Sequence, residues 1–168
     1  HPEVDAEVIM LASMLYLSFG VEHTIALNSI GAPCCRPKYI KKLTAMLNER
    51  KGNLCVTCQT RIKKNPLRVL DCKNKKCQQI YKVDAPRITN HLCKDCSAHF
   101  EEVKRYLDSL RIEYEIEPFL VRGLDYYTRT TFEFRSSAIG SQDALCGGGR
   151  YDLLVEELCG NPKPAIGF

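Results

Sequence analysis

Eight of the ten cysteines lie between Cys34 and Cys96, and they come in close pairs. Two residues between thiolates allow both sulfur atoms to reach one tetrahedral zinc ion at about 2.3 Å, and two such pairs complete a site. The apolar stretch 8–19 lacks the basic start and cleavage site of a signal peptide, so we expect an intracellular, soluble protein. In that compartment paired cysteines favour metal binding over disulfides. The pairs are Cys34-Cys35, Cys55-x-x-Cys58, Cys72-x4-Cys77 and Cys93-x-x-Cys96.

These pairs predict up to two zinc sites. Cys34 would be an awkward fourth ligand of the second site, because adjacent residues seldom both point at one ion, and His99, three residues after Cys96, is a substitute ligand. The alternative interpretation is that all of these cysteines are reduced, small apolar side chains. The most complete predicted site contains Cys72, Cys77, Cys93 and Cys96. The second predicted site contains Cys35, Cys55 and Cys58.

Charge is distributed unevenly along the 168 residues. Between Cys34 and Arg105 there are 18 Lys and Arg against 6 Asp and Glu, whereas the remaining residues have 6 against 14. A basic surplus spread over helices is expected of a surface that faces phosphates, although a solvated surface is the plainer alternative. We therefore expect the middle of the chain to bind nucleic acid, in a manner that weakens with salt.

The spacing of apolar residues predicts an α+β fold. Val4, Val8, Leu11 and Leu15 recur at helical spacing, whereas the segment 112–116 alternates apolar residues with glutamates, as a half-buried strand does. No run of 18 apolar residues occurs, which excludes a membrane-spanning helix. The predicted helices cover 3–19, a segment from Pro37 to about Gly52, 56–64, 94–110 and 152–158; the predicted strands cover 24–28, 112–116, 128–134 and 147–149. The predicted domains are a helix-strand part (1–31), a basic, cysteine-rich helical insertion (32–107) and a β part (108–168).

An unusual set of side chains precedes the strand 128–134. Arg122 can fork two hydrogen bonds to a carboxylate or phosphate, and Tyr126 and Tyr127 offer aromatic walls with polar tips. Such a group would hold a planar, polar ligand. The alternative is that Arg122 pairs with Asp125 and that the tyrosines belong to a core.

The run Gly147-Gly148-Gly149 is a second candidate for ligand contact. It is not a phosphate-binding P-loop, since no Lys-Ser or Lys-Thr follows the glycines. Glycines within a strand let its backbone approach a bound small molecule closely, with Arg150 and Tyr151 flanking the gap.

The segment 120–130, L-V-R-G-L-D-Y-Y-T-R-T, closely resembles a signature of the histidyl-tRNA synthetases, which are class II aminoacyl-tRNA synthetases. The resemblance extends over essentially the whole chain. Segments 2–7 and 28–31 are similar to the family's catalytic domain, 65–71 to its inserted module, 147–152 to its second histidine-specific motif, and 164–168 to the entry of its third class II motif.

The resemblance implies a site and its partners. Arg122 would be the catalytic cation at the α-phosphate and carboxylate during adenylation. The histidine pocket would use Arg122, Tyr126, Tyr127, Tyr151, Gly147 and Gly148. The residues expected to face tRNA(His) are Lys38, Lys41, Lys42, Arg61, Lys63 and Lys64. The substrates would be L-histidine, ATP with Mg²⁺ and tRNA(His), and the full-length enzyme would be a cytoplasmic homodimer with no membrane association.

The chain also departs from the family pattern. It has Ala32-Pro33-Cys34-Cys35 where many bacterial relatives have Cys-Pro-x-Cys, and Cys159 where a glycine is common. The first and second class II motifs and the arginine of the third are absent. We therefore expect a fragment that forms no histidyl-adenylate alone. The alternatives are a non-catalytic zinc- and RNA-binding module, which leaves Arg122 and the glycines unexplained, and a regulatory paralogue of histidine biosynthesis, which generally lacks the insertion.

Overall fold

The computed structural model describes residues 1–123, 126–137, 144–161 and 163–168. It confirms the predicted α+β class. Within these ranges no helix has the length and apolar character needed to cross a membrane. The helices are α1 (Pro2–Ser18), α2 (Arg36–Glu49), α3 (Val56–Lys64), α4 (Lys75–Asp84), α5 (Lys94–Ser109) and α6 (Asp152–Cys159), with 3₁₀ turns at Lys51–Asn53, Pro66–Val69 and Ile88–His91. The strands are β1 (Thr24–Ser29), β2 (Glu115–Ile116), β3 (Thr128–Arg135), β4 (Ala144–Arg150) and β5 (Ile166–Gly167).

The five strands form one sheet in the order β2-β1-β3-β4-β5. Neighbours are antiparallel except β1 and β2, which are parallel. The predicted half-buried strand 112–116 is wrong in length and burial, because only Glu115 and Ile116 pair and both are exposed. Ile112 and Tyr114 instead pack against the cluster between the sheet and the helices. This segment lies at the edge of the sheet and pairs with β1 alone. Alternation of apolar and polar residues therefore predicted a strand that is too long.

One face of the sheet is covered by α1 and α5. Phe132 and Phe134 of β3 are fully buried there against Ile9 of α1 and Val103 of α5. Although most of α5 lies within the basic segment of the chain, its apolar side therefore packs on this face, which we call the helix face of the sheet. The other face carries Glu133 and is called the open face.

Helix α1 buries the side opposite to its large, regularly spaced apolar residues. Val4, Leu11 and Leu15 are exposed, whereas Ala6, Ile9 and Ala12 are buried. Alanines on the buried side let α1 approach its neighbours closely, since interaxial distance depends on the side chains at the contact. The 3.6-residue spacing thus predicted the helix correctly, although the regularly spaced apolar residues do not mark its buried side.

A second core lies within the basic segment. Tyr39, Leu43 and Leu47 of α2 pack with residues of α3, α4 and the turn Pro66–Val69. This core continues into the β part of the chain through Val121, with Phe119 and Tyr127 packed against it. Helix α4 was not predicted, because only Cys77 and Tyr81 of its ten residues are buried. Its start is marked by Asn74, whose side chain accepts a hydrogen bond from the backbone N–H of Lys76 at 2.9 Å.

Candidate active site

Arg122 lies on the open face of the sheet and is held there by Glu133. Its Nη1 donates to Glu133 Oε2 at 2.9 Å, and Glu133 Oε1 accepts from Arg135 Nε at 2.9 Å. Arg122 Nε is buried and has no hydrogen-bond partner among the described residues. Asp125, the alternative partner considered from the sequence, lies outside the described residues. The guanidinium is therefore fixed from one side and keeps an unmatched donor.

The glycines of β4 make room for side chains of the site itself. Gly147 pairs with Glu133 in the register of β3 and β4, and a Cβ placed on it would overlap the Arg122 guanidinium. A Cβ on Gly149 would lie 3.0 Å from Cδ1 of Tyr127. Gly148 faces the other side, where a Cβ would collide with the Phe132 ring. Arg122 can lie flat on the strand only because the strand lacks side chains at that point.

The two tyrosines form one aromatic group beside this arginine. The ring centroids of Tyr126 and Tyr127 are 4.8 Å apart at an interplanar angle of 37°. Tyr127 is half-buried, and burial raises its pKa, while the neighbouring Arg122 guanidinium opposes that rise. Tyr151 lies beyond the other end of the glycines, where its hydroxyl would be 3.3 Å from a Cβ on Gly167 of β5. The structure thus groups Arg122, Tyr126, Tyr127 and Gly147, and places Tyr151 over the adjacent strand.

Two of the grooves formed by the described residues open beside Arg122, and the basic segment forms one wall of each. The first has a volume of about 470 Å³ and is lined by Lys63, Lys64 and Arg68 together with Arg122 and Tyr127. The second has a volume of about 710 Å³, is lined by residues of the segment 70–82 and of β3, and also includes Arg122. Cations from the basic segment therefore face the same space as the site arginine.

The predicted tRNA-facing residues divide between two surfaces. Lys63 and Lys64 are exposed and line the first groove. Arg61 is half-buried and donates from Nη1 to the carbonyl of Arg68 at 2.7 Å, which stabilises the turn Pro66–Val69. Helix α2 presents Arg36, Ile40 and Thr44 to the groove. The remaining predicted residues are exposed on other sides of α2: Lys38, Lys41 and Lys42.

Arg36 connects the start of α2 to the tyrosine segment. Its Nε donates to the carbonyl of Ile30 at 3.2 Å, and its Nη2 donates to the carbonyl of Tyr127. The carbonyl of Gly31 accepts from the backbone N–H of Arg129 at 2.8 Å. Sequence reasoning missed Arg36, because only the fold brings residues 36 and 127 together. Glu133 was also missed, although its alternation with Phe132 and Phe134 already places it on the opposite face from the core.

A buried ionic network lies on the helix face of the same two strands. Asp5 Oδ2 contacts His99 Nε2 at 2.8 Å and accepts from Thr130 Oγ1 at 2.6 Å. Arg150 donates to Asp5 Oδ1, and to Asp152 Oδ1 at 3.2 Å. The predicted role of His99 as a substitute metal ligand is wrong, because neither group of candidate metal ligands among the described residues includes it. Arg150 does not flank a ligand gap, since it lies on the opposite face of the sheet from Arg122.

The cysteines form two four-residue groups whose membership differs from the prediction. The predicted set Cys72, Cys77, Cys93 and Cys96 is wrong as one site, because chain folding separates the two pairs. Within each group all sulfur atoms lie within 4.8 Å of one another. The observed groups, which we call the junction cluster and the inner cluster, are respectively Cys34, Cys35, Cys93 and Cys96, and Cys55, Cys58, Cys72 and Cys77.

The first cysteine of each C-x-x-C pair precedes a helix and is the more acidic thiol of its pair. The backbone N–H of Cys58 lowers the pKa of Cys55 to about 7, and that of Cys96 lowers the pKa of Cys93 to about 7. Burial raises the pKa of Cys58 and, to about 12, that of Cys96. Both C-x-x-C pairs therefore have the same local arrangement at a helix start.

The fold and the open face define a protein with an α+β sheet, an arginine-tyrosine site and a basic helical module beside it. The family model for histidyl-tRNA synthetase matches residues 2–168. A histidine–tRNA ligase of Anaeromyxobacter dehalogenans is 52% identical over 168 residues, covering 100% of this chain and 40% of that protein. One of Caldicellulosiruptor bescii is 48% identical over 168 residues, covering 99% and 40%. The chain belongs to the histidyl-tRNA synthetase family, which confirms the resemblance seen in segment 120–130.

Solved structures show the same relationship in three dimensions. Apo histidyl-tRNA synthetase of Staphylococcus aureus superposes with a TM-score of 0.74 at 37% identity, covering 99% of this chain and 40% of that chain. A Bacillus halodurans protein described as an ATP phosphoribosyltransferase regulatory subunit/histidyl-tRNA synthetase gives a TM-score of 0.57 at 19% identity, a likeness of fold alone. The chain spans about 40% of the length of the relatives it matches.

Proposed function

We propose that this chain supplies the histidine-recognition part of a histidine–tRNA ligase, which activates L-histidine with ATP and transfers it to tRNA(His). The observation that carries the proposal is the placement of Arg122, fixed by Glu133 against Gly147 and beside Tyr127. Because the chain spans 40% of its relatives, the activity is proposed for the whole protein.

Arg122 is the proposed catalytic residue. In adenylation the histidine carboxylate attacks the α-phosphorus of ATP, a new P–O bond forms, and the bond to pyrophosphate breaks. Negative charge develops on the phosphoryl oxygens, and a fixed guanidinium stabilises it without reorganisation. Glu133 holds Arg122 at 2.9 Å, so the geometry exists before substrate binds. ATP would enter as its Mg²⁺ complex.

Histidine recognition is proposed for the tyrosine group and the glycine strand. The imidazole ring is planar with two polar nitrogens, which suits the tyrosine rings and hydroxyls of Tyr126, Tyr127 and Tyr151. The backbone of Gly147 and Gly148 would form the floor beneath Arg122. Such a pocket rejects other amino acids because their side chains leave its buried polar groups unpaired.

The basic helical segment is proposed to face tRNA(His) as an insertion spanning about 32–107. Lys63 and Lys64 share a groove with Arg122, so they would meet the acceptor end close to the site. The exposed lysines of α2 would extend that basic surface, and phosphate contacts of this kind weaken as salt rises. The full-length protein is proposed to act as a cytoplasmic homodimer.

Histidine-dependent pyrophosphate exchange by the full-length protein tests this proposal. We expect Arg122→Lys to reduce exchange by about 100-fold, the size reported for losing one oxyanion donor. The double change Lys63→Ala and Lys64→Ala should leave exchange intact and raise KM for tRNA(His). Exchange that does not depend on histidine, or that is unchanged in Arg122→Lys, contradicts the proposal. The 168 residues alone should show no exchange near the full rate.

A further inference from the structure

Sulfur positions in the junction cluster match the edges of a tetrahedron around one metal ion. A regular site with metal–sulfur bonds of about 2.3 Å has sulfur–sulfur edges of about 3.8 Å. The observed Sγ separations are 3.8 Å for Cys34 and Cys35, 3.5 Å for Cys34 and Cys93, 3.6 Å for Cys35 and Cys93, and 3.4 Å for Cys35 and Cys96. Adjacent Cys34 and Cys35 do face one point, contrary to the sequence expectation, because the backbone turns into α2 there: Cys35 N–H donates to the carbonyl of Ala32 at 3.0 Å.

The inner cluster shows the same arrangement at a second place. Cys55 Sγ lies 3.8 Å from Cys72 Sγ, and Cys58 and Cys77 lie within the same 4.8 Å limit. Three of these four side chains are buried. These separations are far from the disulfide bond length of about 2.05 Å, and all eight cysteines are free thiols.

Backbone N–H groups point at sulfur atoms in both clusters. The N–H of Ala32 donates to Cys35 Sγ at 3.4 Å, and the N–H of Cys55 donates to Cys77 Sγ at 3.3 Å. Hydrogen bonds of this kind orient a metal ligand and stabilise the charge on a thiolate. A packed core of neutral cysteines would not require them.

We propose that the protein binds two structural zinc ions, one in the junction cluster and one in the inner cluster. Four thiolates with no open position suit a tetrahedral structural site, and sulfur ligands select zinc over harder divalent ions. On binding, each site gives up four protons from its thiols and becomes a dianion. The 18 basic residues against 6 acidic residues between Cys34 and Arg105 offset that negative charge.

The two zinc ions have different structural roles. The inner zinc joins the start of α3 to the segment around α4, which buries few apolar side chains of its own. The junction zinc joins the start of α2 to the start of α5, so it closes the two ends of the basic segment where it leaves and re-enters the sheet. Small modules with modest cores commonly depend on such metal links.

The junction zinc also lies next to the support of the tyrosine segment. Cys35 Sγ would be 3.1 Å from a Cβ on Gly31, whose carbonyl accepts from Thr128 Oγ1 at 3.3 Å. Arg36, the next residue after Cys35, donates to the carbonyl of Tyr127. Holding Cys35 therefore holds two of the contacts that position residues 127 and 128.

Metal content of the full-length native protein, purified without chelator, tests the two sites. We expect two zinc ions per chain, falling to one in Cys93→Ser/Cys96→Ser and to one in Cys72→Ser/Cys77→Ser. The control Cys159→Ser, an exposed cysteine outside both clusters, should keep two. Fewer than half an equivalent of zinc in the unaltered protein, or unchanged zinc in a double variant, overturns the proposal.

Cobalt replacement keeps the proposal testable if a serine variant fails to fold. Unaltered protein refolded with Co²⁺ should show the intense visible absorption of tetrahedral cobalt thiolates at two equivalents per chain. Octahedral cobalt spectra, or saturation without thiolate absorption, would contradict four-cysteine coordination.

A separate measurement tests the different role of the junction zinc and rests on the proposed function. Loss of the junction site should raise Kd for histidine roughly tenfold, in the range seen when support of a site is removed. Loss of the inner site should change it much less. Equal effects of the two losses would contradict the positioning role, while metal content would still stand as a test independent of histidine binding.

Discussion

Two arginine-carboxylate pairs lie on opposite faces of β3 and β4. They differ in how deeply they are buried and in how many of their polar atoms have hydrogen-bond partners. On the helix face, the side chains of Arg150 and Asp5 are 4% and 0% exposed, and Asp5 also has Thr130 and His99 as partners. On the open face, the side chains of Arg122 and Glu133 are 27% and 16% exposed, and Arg122 Nε has no partner among the described residues.

We interpret this difference as one between an ion pair that stabilises the fold and an arginine that is available to a ligand. A buried pair is tolerated only when nearly all of its polar atoms are satisfied, since removing one partner leaves an uncompensated charge. Asp5 and Arg150 meet that condition and fasten α1 to the sheet. Arg122 meets it only in part, and it lies over Gly147, where the strand has no side chain. We propose that this arrangement leaves it available to an anionic ligand.

Replacing the buried carboxylate should have the largest effect. Asp5→Asn should lower the free energy of unfolding by about 3–5 kcal/mol, because Arg150 and His99 lose their charged partner in a buried position. Urea denaturation measures this change. Glu102→Gln, which breaks the exposed ion pair with Arg105, should leave the midpoint unchanged. Equal urea midpoints for both variants would contradict the claim that the pair of Asp5 and Arg150 stabilises the fold.

A side chain added to Gly147 of β4 should have an intermediate effect. We expect the change to lower activity rather than stability. Gly147→Ala places a methyl group where the Arg122 guanidinium lies, so the arginine must move. We expect a loss of about 10- to 100-fold in histidine-dependent exchange by the full-length protein, the size of a displacement of about 1 Å. Gly52→Ala is the matched control, because nothing lies within 4 Å of its added Cβ. Full activity in Gly147→Ala would mean that Arg122 need not lie on the strand.

Removing one hydroxyl of the tyrosine group should have the smallest effect. Tyr127→Phe keeps the ring that packs on the insertion core and on Tyr126, so stability should change by less than about 1 kcal/mol. If the hydroxyl binds histidine, KM for histidine should rise several-fold with little change in KM for ATP. Equal changes in both constants would point to a general loss of site geometry.

The sequence predicted local elements better than the contacts between them. Helices α3 and α5 begin at the predicted residues, and α3 ends at the predicted residue before Asn65-Pro66. Proline and the apolar spacing of 100–110 are local signals. The cysteines could not be grouped without the folded structure, since Cys93 and Cys96 lie beside Cys34 and Cys35, which are 58 to 62 positions earlier in the sequence. The spacing of apolar residues in α1 did not show which side is buried, because burial of Asp5 depends on Arg150, distant in sequence.

In the candidate site, too, local residues were easier to predict than contacts between distant segments. Residue chemistry predicted that Arg122 and the tyrosines hold a planar, polar ligand but left a core role open. The resemblance of segment 120–130 then implied histidine as that ligand. Alternation along β3 already placed Glu133 on the face opposite the core, but the sequence did not predict its pairing with Arg122. Arg36 required the fold, since its contact with Tyr127 spans 91 positions.

The most direct measurement compares matched replacements, Arg122→Lys and Arg150→Lys, in urea unfolding and in histidine-dependent pyrophosphate exchange by the full-length protein. We expect Arg122→Lys to stay within about 1 kcal/mol of the unaltered stability, as a partly exposed pair should, while exchange falls about 100-fold. Arg150→Lys should lose several times more stability. Retained exchange in Arg122→Lys, or an equal loss of stability in both variants, would contradict the assignment of one arginine to ligand and the other to structure.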